Sequence, residues 1–256
     1  MFKTGLVSVS FRKEAVEDII AAVKAAELEG IEWGGDIHVP AGDTKKAGYV
    51  KELMKENKLT TFSYGSYYFL GDSEGDITAF VPVLESAAAL GAPIIRIWGG
   101  RCGSREIKPI CFEKMVKESK AIADMAAKRN IRLCLEDHAN SVTDRVDFAD
   151  RFVRAVGKEN FGMFWQPNQN ESDEYNLASI PVLADRVSNI HVFSWEMGED
   201  HILRRFPLAY KEALWKKYLS LFAKTGKTYP LLLEFMHDDK LSTLAETAKT
   251  LKSWVK

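Results

Sequence analysis

Cysteine is scarce in this chain: Cys102, Cys111 and Cys134 are the three in 256 residues. Thiols so few and so scattered make neither a disulfide framework nor a zinc cage, and are expected to stay reduced. Long apolar runs are missing as well. No stretch reaches 18 consecutive apolar residues, so no membrane span is expected. The opening MFKTGLVSVSFRKE returns to charge at Arg12 and Lys13 before a signal-peptide core could form, and a cytoplasmic location is expected. Charge of one sign is lacking too, since 35 Lys+Arg face 36 Asp+Glu for a net charge of -1. A nucleic-acid partner would need a basic face to displace phosphate counterions, so none is expected. No Pro/Gly/Ser-rich linker or shift in composition divides the chain, which reads as one domain over 1–256.

Apolar material is plentiful at 46% of residues, enough for a sizeable core. It is arranged in alternation. Short apolar runs (Gly5–Val9, Ile31–Trp33, Leu59–Tyr64, Ile94–Trp98, Arg132–Leu135, Phe161–Trp165, Ile190–Phe193, Tyr229–Leu233) each precede a stretch of helical period. The helices are expected over 15–29, 45–57, 78–90, 111–129, 145–156, 180–185, 213–224 and 241–255. Several stop at glycine: Gly30, Gly91, Gly157 and Gly226. Strands alternating with helices imply a parallel sheet. Eight such units in about 250 residues imply an α/β fold of the (βα)8 TIM-barrel type, eight parallel strands ringed by helices. A doubly wound sheet is the rival, but the first turn, SVSFRKE, has no glycine to cradle a phosphate.

In such a barrel, chemistry sits at the carboxyl ends of the strands. The last four runs carry Glu136, Gln166, His191 and Glu234 at or near that end, spaced 30, 25 and 43 residues apart. Singly, a strand-end Glu is usually solvated or paired with Lys, and a strand His is usually a hydrogen-bonded core residue. Four on consecutive strands point instead to a nitrogen/oxygen site for one divalent ion, with Mn, Mg, Co or Zn all compatible. His138, two residues beyond Glu136, is either a substrate contact or a partner of Glu136 if the strand continues, or else part of a loop that caps the next helix with Asn140 and Ser141.

The sequence resembles the xylose-isomerase-like TIM barrels, and within them the sugar phosphate isomerase/epimerase family. The likeness spans nearly the whole chain. It lies in GIEWGGDIHVP (Gly30–Pro40), SYGSYY (Ser63–Tyr68), LGAPIIRIWGG (Leu90–Gly100), LEDHANSVTD (Leu135–Asp144), IHVFSW (Ile190–Trp195) and LLLEF (Leu231–Phe235). The resemblance implies a metal held by Glu136, Gln166, His191 and Glu234, and a substrate contact at Arg205. Two departures stand out. The family's usual Asp after the sixth strand is Gln166, and the His often found three residues on is Gln169. A further Glu of the ketose 3-epimerases is Val142 here.

The function implied is isomerisation or epimerisation of a small sugar or sugar phosphate. Glu136 and Glu234 would be the catalytic proton carriers, working through a metal-stabilised enediolate. Loops after the first four strands would cradle the sugar. They offer the aromatic faces of Trp33, Tyr64, Tyr67, Tyr68 and Trp98 and the polar groups of Glu32, His38 and Arg101. Two alternatives remain open: a noncatalytic sugar-binding barrel, favoured by Gln166, and an endonuclease IV-like metal phosphodiesterase. The second is disfavoured by a total of five histidines, none at Ser63-Tyr64 or Ile97-Trp98. Homo-oligomerisation is left open.

Overall fold

The computed structural model describes residues 1–255; Lys256, the last residue of the expected domain, lies outside them. Strands β1 (Phe2–Val7), β2 (Gly30–Gly34), β3 (Thr60–Phe69), β4 (Ile94–Trp98), β5 (Arg132–Leu135), β6 (Phe161–Trp165), β7 (Val187–Val192) and β10 (Tyr229–Leu233) form a closed barrel of parallel strands. Their order is β1-β10-β7-β6-β5-β4-β3-β2. Helices α1 (Val16–Ala25), α2 (Thr44–Glu56), α3 (Val81–Leu90), α4 (Pro109–Ala127), α5 (Val146–Val156), α6 (Asp173–Leu183), α7 (Glu212–Ala223) and α8 (Leu244–Trp254) surround it. This is the expected (βα)8 barrel.

The strands are apolar because both their faces are covered; all five residues of β6 are buried. The helices bury one stripe each. In α5 the buried residues are Ala149, Phe152, Val153 and Val156, and the helix stops at Gly157 in the left-handed conformation, φ 61°. The main core lies between strands and helices. A smaller apolar cluster joins Val7, Val9, Phe62 and Leu232. Phe62 is the extra residue of a bulge, for Ile31 pairs with Thr61 and Glu32 with Ser63. Its ring fills space that Gly5 and Gly30 leave free: a Cβ there would lie 2.8 and 2.9 Å from it.

The structure differs from the sequence expectation in several places: α1 ends at Ala25, so Gly30 opens β2 rather than stopping the helix, and β7 starts at Val187. The first strand starts at Phe2, and Ser8–Phe11 turns as a 3-10 helix. β3 runs on to Phe69. α6 begins at Asp173, capped by Ser172, whose hydroxyl accepts from the Tyr175 N–H. Pro181 stands in its last turn. Finally, the polar segment after β7 contains an antiparallel hairpin, β8 (Trp195–Met197) with β9 (Leu203–Arg205). Among the described residues no helix is long and apolar enough to cross a membrane.

Gly30→Ala should be destabilising, because its Cβ would lie 2.1 Å from the Thr60 carbonyl oxygen. A loss of about 1–3 kcal/mol is expected in urea unfolding. Gly48→Ala, on α2 with nothing within 4 Å of its Cβ, should instead gain about 0.5–1 kcal/mol.

Candidate metal centre

Strand alternation sends every second side chain into the barrel. The charged and polar ones meet across it. Asn189 of β7 donates to Ser63 of β3 on the opposite wall, 3.0 Å. Ser63 donates to Glu32 of β2 at 2.7 Å. Arg96 of β4 lies between two carboxylates, with Nε 3.0 Å from Glu32 Oε1 and Nη1 2.5 Å from Glu136 Oε2. Gly65 makes the room, since a Cβ there would stand 2.8 Å from Glu32 Oε1 and 2.9 Å from Arg96 Nη2.

Above this pair lies His191, with no exposed surface. Its Nε2 faces Glu32 Oε2 at 3.5 Å. Its Nδ1 faces three oxygens: Glu234 Oε2 at 3.3 Å, Gln166 Oε1 at 3.3 Å and Glu136 Oε1 at 3.4 Å. The Gln166 NH2 donates to the Asp137 carbonyl at 2.7 Å, which turns the amide oxygen inward. Glu136 and Glu234 are the first residues past their strands, and their backbone N–H groups still bond Ile97 and Val192 carbonyls. Phe235 then turns left-handed at φ 39°, its N–H held by Ser10 Oγ.

The electrostatics follow from this geometry. Burial works against ionising Glu136, but Arg96 and then His191 outweigh it and bring its pKa down to about 2. Glu32 is likewise lowered against its burial, by His191 and Arg96. Burial also opposes a charged His191, yet Glu234, Glu32 and Glu136 raise its pKa well above the usual imidazole value. Burial, with Glu136 and Asp144 adding to it, pushes the Asp137 carboxyl well up.

These donors fit a divalent cation. With the imidazole neutral, His191 Nδ1 and three oxygens are four lone-pair-bearing atoms facing one point, an arrangement that needs a positive charge among them; without an ion the His191 proton supplies it. With His191 neutral, as a metal ligand must be, three buried carboxylates (Glu32, Glu136, Glu234) oppose one guanidinium, leaving two negative charges for a divalent ion to balance. Glu136, His191 and Glu234 are the one such group of His, Cys, Asp and Glu among the described residues, their ligand atoms within 4.8 Å of each other. Glu32 on Nε2 fixes the imidazole tautomer that leaves Nδ1 free to bind.

The other expected contacts are more scattered. Glu32, expected at the sugar, is fully buried and engaged by Arg96, Ser63 and His191, so it serves the histidine rather than a ligand. His38 is buried against Ser8, its Nδ1 2.9 Å from the hydroxyl, and packs on Trp33. Trp33, Tyr64 and Tyr68 are core residues; Tyr64 donates to the Val39 carbonyl and Tyr68 to Glu118. Arg101 pairs with Asp72 at 2.9 Å and covers the Phe69 ring. Arg205 pairs with Asp239 at 2.5 Å over Phe235. The Gln169 amide donates to the Pro167 carbonyl.

Trp98 and His138 pack together beside Arg96. Trp98 lies 5.1 Å from the Arg96 guanidinium, stacks on Phe69 and meets His138 edge-on at 4.8 Å. The strand ends at Leu135, so His138 belongs to a loop, with its Nδ1 on the Ala139 carbonyl. The Ser141 hydroxyl donates to the His138 carbonyl. Arg96 was missed from the sequence. Its signal was a lone charge at an inward position of the apolar run IIRIW, which demands a buried partner.

The profile of the family described as xylose isomerase-like TIM barrel matches residues 20–255. The chain belongs to that family. No curated protein matches the sequence. Similar solved structures include the probable 3-DHS dehydratase AsbF of Bacillus anthracis, 18% identical over 98% of this chain and 99% of that one, TM-score 0.78. A D-psicose 3-epimerase is 16% identical over 98% and 97%, TM-score 0.74. The IolI protein with a binding zinc atom is 15% identical over 99% and 96%, TM-score 0.73. At these identities the likeness carries the barrel and no specific activity.

Titration calorimetry with Mn²⁺ should find one ion per chain. Because the His191 pKa is raised, the metal-free imidazole is protonated near neutrality, and each ion should displace about one proton. Apparent affinity should therefore rise with pH, and the heat should depend on the ionisation enthalpy of the buffer. Glu32→Gln should weaken binding by about 10–100-fold without unfolding the barrel.

Proposed function

We propose that this protein is a divalent-metal-dependent isomerase or epimerase of a small sugar or sugar phosphate. The observation that carries the reading is the convergence of Glu136 Oε1, Gln166 Oε1, His191 Nδ1 and Glu234 Oε2 on one point, where a neutral His191 leaves two negative charges for a cation to balance. Membership of a family with epimerase relatives such as the D-psicose enzyme supports it. Bound there, the ion supplies a Lewis acid for a sugar carbonyl oxygen and so acidifies the neighbouring C–H.

The chain's own carboxylates then move the proton. Glu234 has no Lys or Arg ion pair among the described residues, whereas Glu136 is held by Arg96. Glu234, free of such a pair, takes the proton and later releases it to solvent; Glu136, held as a carboxylate on a different strand, relays one from solvent water back to the intermediate. Return to the same carbon from the other face inverts it, and return to the neighbouring carbon interconverts aldose and ketose. Each positioned group contributes about 10²–10⁴-fold. Trp98 offers an aromatic wall for the sugar's C–H face. The Gln166 NH2 is already engaged by Asp137, so that residue presents only its oxygen to the centre.

In deuterated water, an accepted ketose should gain one deuterium at the carbon that epimerises or isomerises. Glu234→Gln should abolish the label with ligand binding retained, and Glu136→Gln should cut turnover at least about 100-fold. Turnover without solvent label would contradict proton transfer. Sugar binding without label or turnover would favour the noncatalytic sugar-binding barrel, and loss of water from the ligand would favour an elimination at the same centre.

A further inference from the structure

A cleft of about 310 Å³ opens beyond β6 and β7, the strands whose ends carry Gln166 and His191. It has two unlike walls. One is aromatic: Phe193 and Trp195 stack with centroids 3.8 Å apart, and Trp215 lies beside them with its Nε1 on the Phe193 carbonyl at 2.7 Å. The other is polar, with Gln169, Glu171 and Asp173 at the amino end of α6, facing Glu196 and Lys211. Lys211 is already paired with Glu196 at 3.2 Å.

Tyr218 is one of the lining residues and carries an unpartnered polar group. It is 1% exposed, lines the cleft, and its hydroxyl has no hydrogen-bond partner among the described residues. A buried hydroxyl without a partner is unfavourable. Its ring is fixed by edge contacts to Trp165 at 5.1 Å and Trp215 at 5.4 Å, so the hydroxyl cannot swing away to solvent. A ligand group that both donates and accepts would satisfy it.

We propose that this cleft binds a neutral saccharide unit, the non-reacting part of an extended substrate whose reacting sugar lies at the Glu136–His191–Glu234 centre. The inference rests on the proposed function only for what occupies that centre. Aromatic faces suit the C–H surface of a sugar ring. Carboxylates and amides suit its hydroxyls. A phosphate is disfavoured, since Glu171, Asp173 and Glu196 outnumber the one paired lysine. The cleft therefore selects a glycoside or oligosaccharide over a sugar phosphate on this side of the site.

The test uses the full chain labelled with 5-fluorotryptophan, its six fluorine resonances assigned by single Trp→Phe replacements. The probes are cellobiose, maltose and sucrose, with glucose and glucose 6-phosphate for comparison. At least one disaccharide should move the Trp195 and Trp215 resonances at concentrations where glucose 6-phosphate does not. Tyr218→Phe keeps the ring packing and should weaken that binding about three- to tenfold. Absence of any Trp195 or Trp215 shift with every disaccharide would overturn the proposal, as would equal shifts with glucose 6-phosphate or no effect of Tyr218→Phe. Shifts confined to Trp98 would overturn it while leaving the metal-centre reading standing. Disaccharide shifts at Trp195 and Trp215 without turnover of any sugar would support the cleft and count against the isomerase reading.

Discussion

The Arg96 guanidinium, fixed inside the barrel between Glu32 and Glu136, is the contact on which the centre depends. Both pairs are almost fully buried, and removing one partner of such a pair typically costs about 3–5 kcal/mol because a charge is left behind. The pairing does more than neutralise. It holds one oxygen of Glu136 and leaves the other facing His191. It fixes Glu32 so that its second oxygen faces Nε2 of the same histidine. Gly65 has no side chain where this network passes. One arginine thus orients two carboxylates and, through Glu32, an imidazole.

The fold was legible because a parallel barrel writes both its periods into the chain: short doubly buried strands and amphipathic helices, two of them, α3 and α5, stopped by glycine. What escaped was set by tertiary context. The bulge at Phe62 depends on the empty space over Gly5 and Gly30, which strand periodicity does not encode. The β8–β9 hairpin is built of polar and mixed residues with no alternation to announce it. The four centre-facing residues were legible from their common position at strand ends. Arg96 sits mid-strand, where a lone charge shows its role only once its partners across the barrel are known. Aromatic residues misled most: Trp33, Tyr64 and Tyr68 lie near strand ends but serve the core, and only contacts in three dimensions separate them from Trp98.

Gln166 shows how the centre absorbs a neutral residue where the family pattern has an acid. Its amine group bonds the Asp137 carbonyl, and its oxygen takes an inward place without adding charge. The protein's contribution is then two net negative charges instead of three. An ion held this way would be neutralised less completely and would polarise a bound carbonyl more strongly, at some loss of affinity.

The most direct measurement is a crystal structure of the Mn²⁺-loaded protein, with the ion located by its anomalous scattering. One peak is expected, bounded by Glu136 Oε1, Gln166 Oε1, His191 Nδ1 and Glu234 Oε2, each oxygen within roughly 2.0–2.6 Å, with Arg96 still between Glu32 and Glu136. A peak elsewhere, or a Gln166 oxygen beyond about 3 Å from the ion, would contradict the four-donor centre described here.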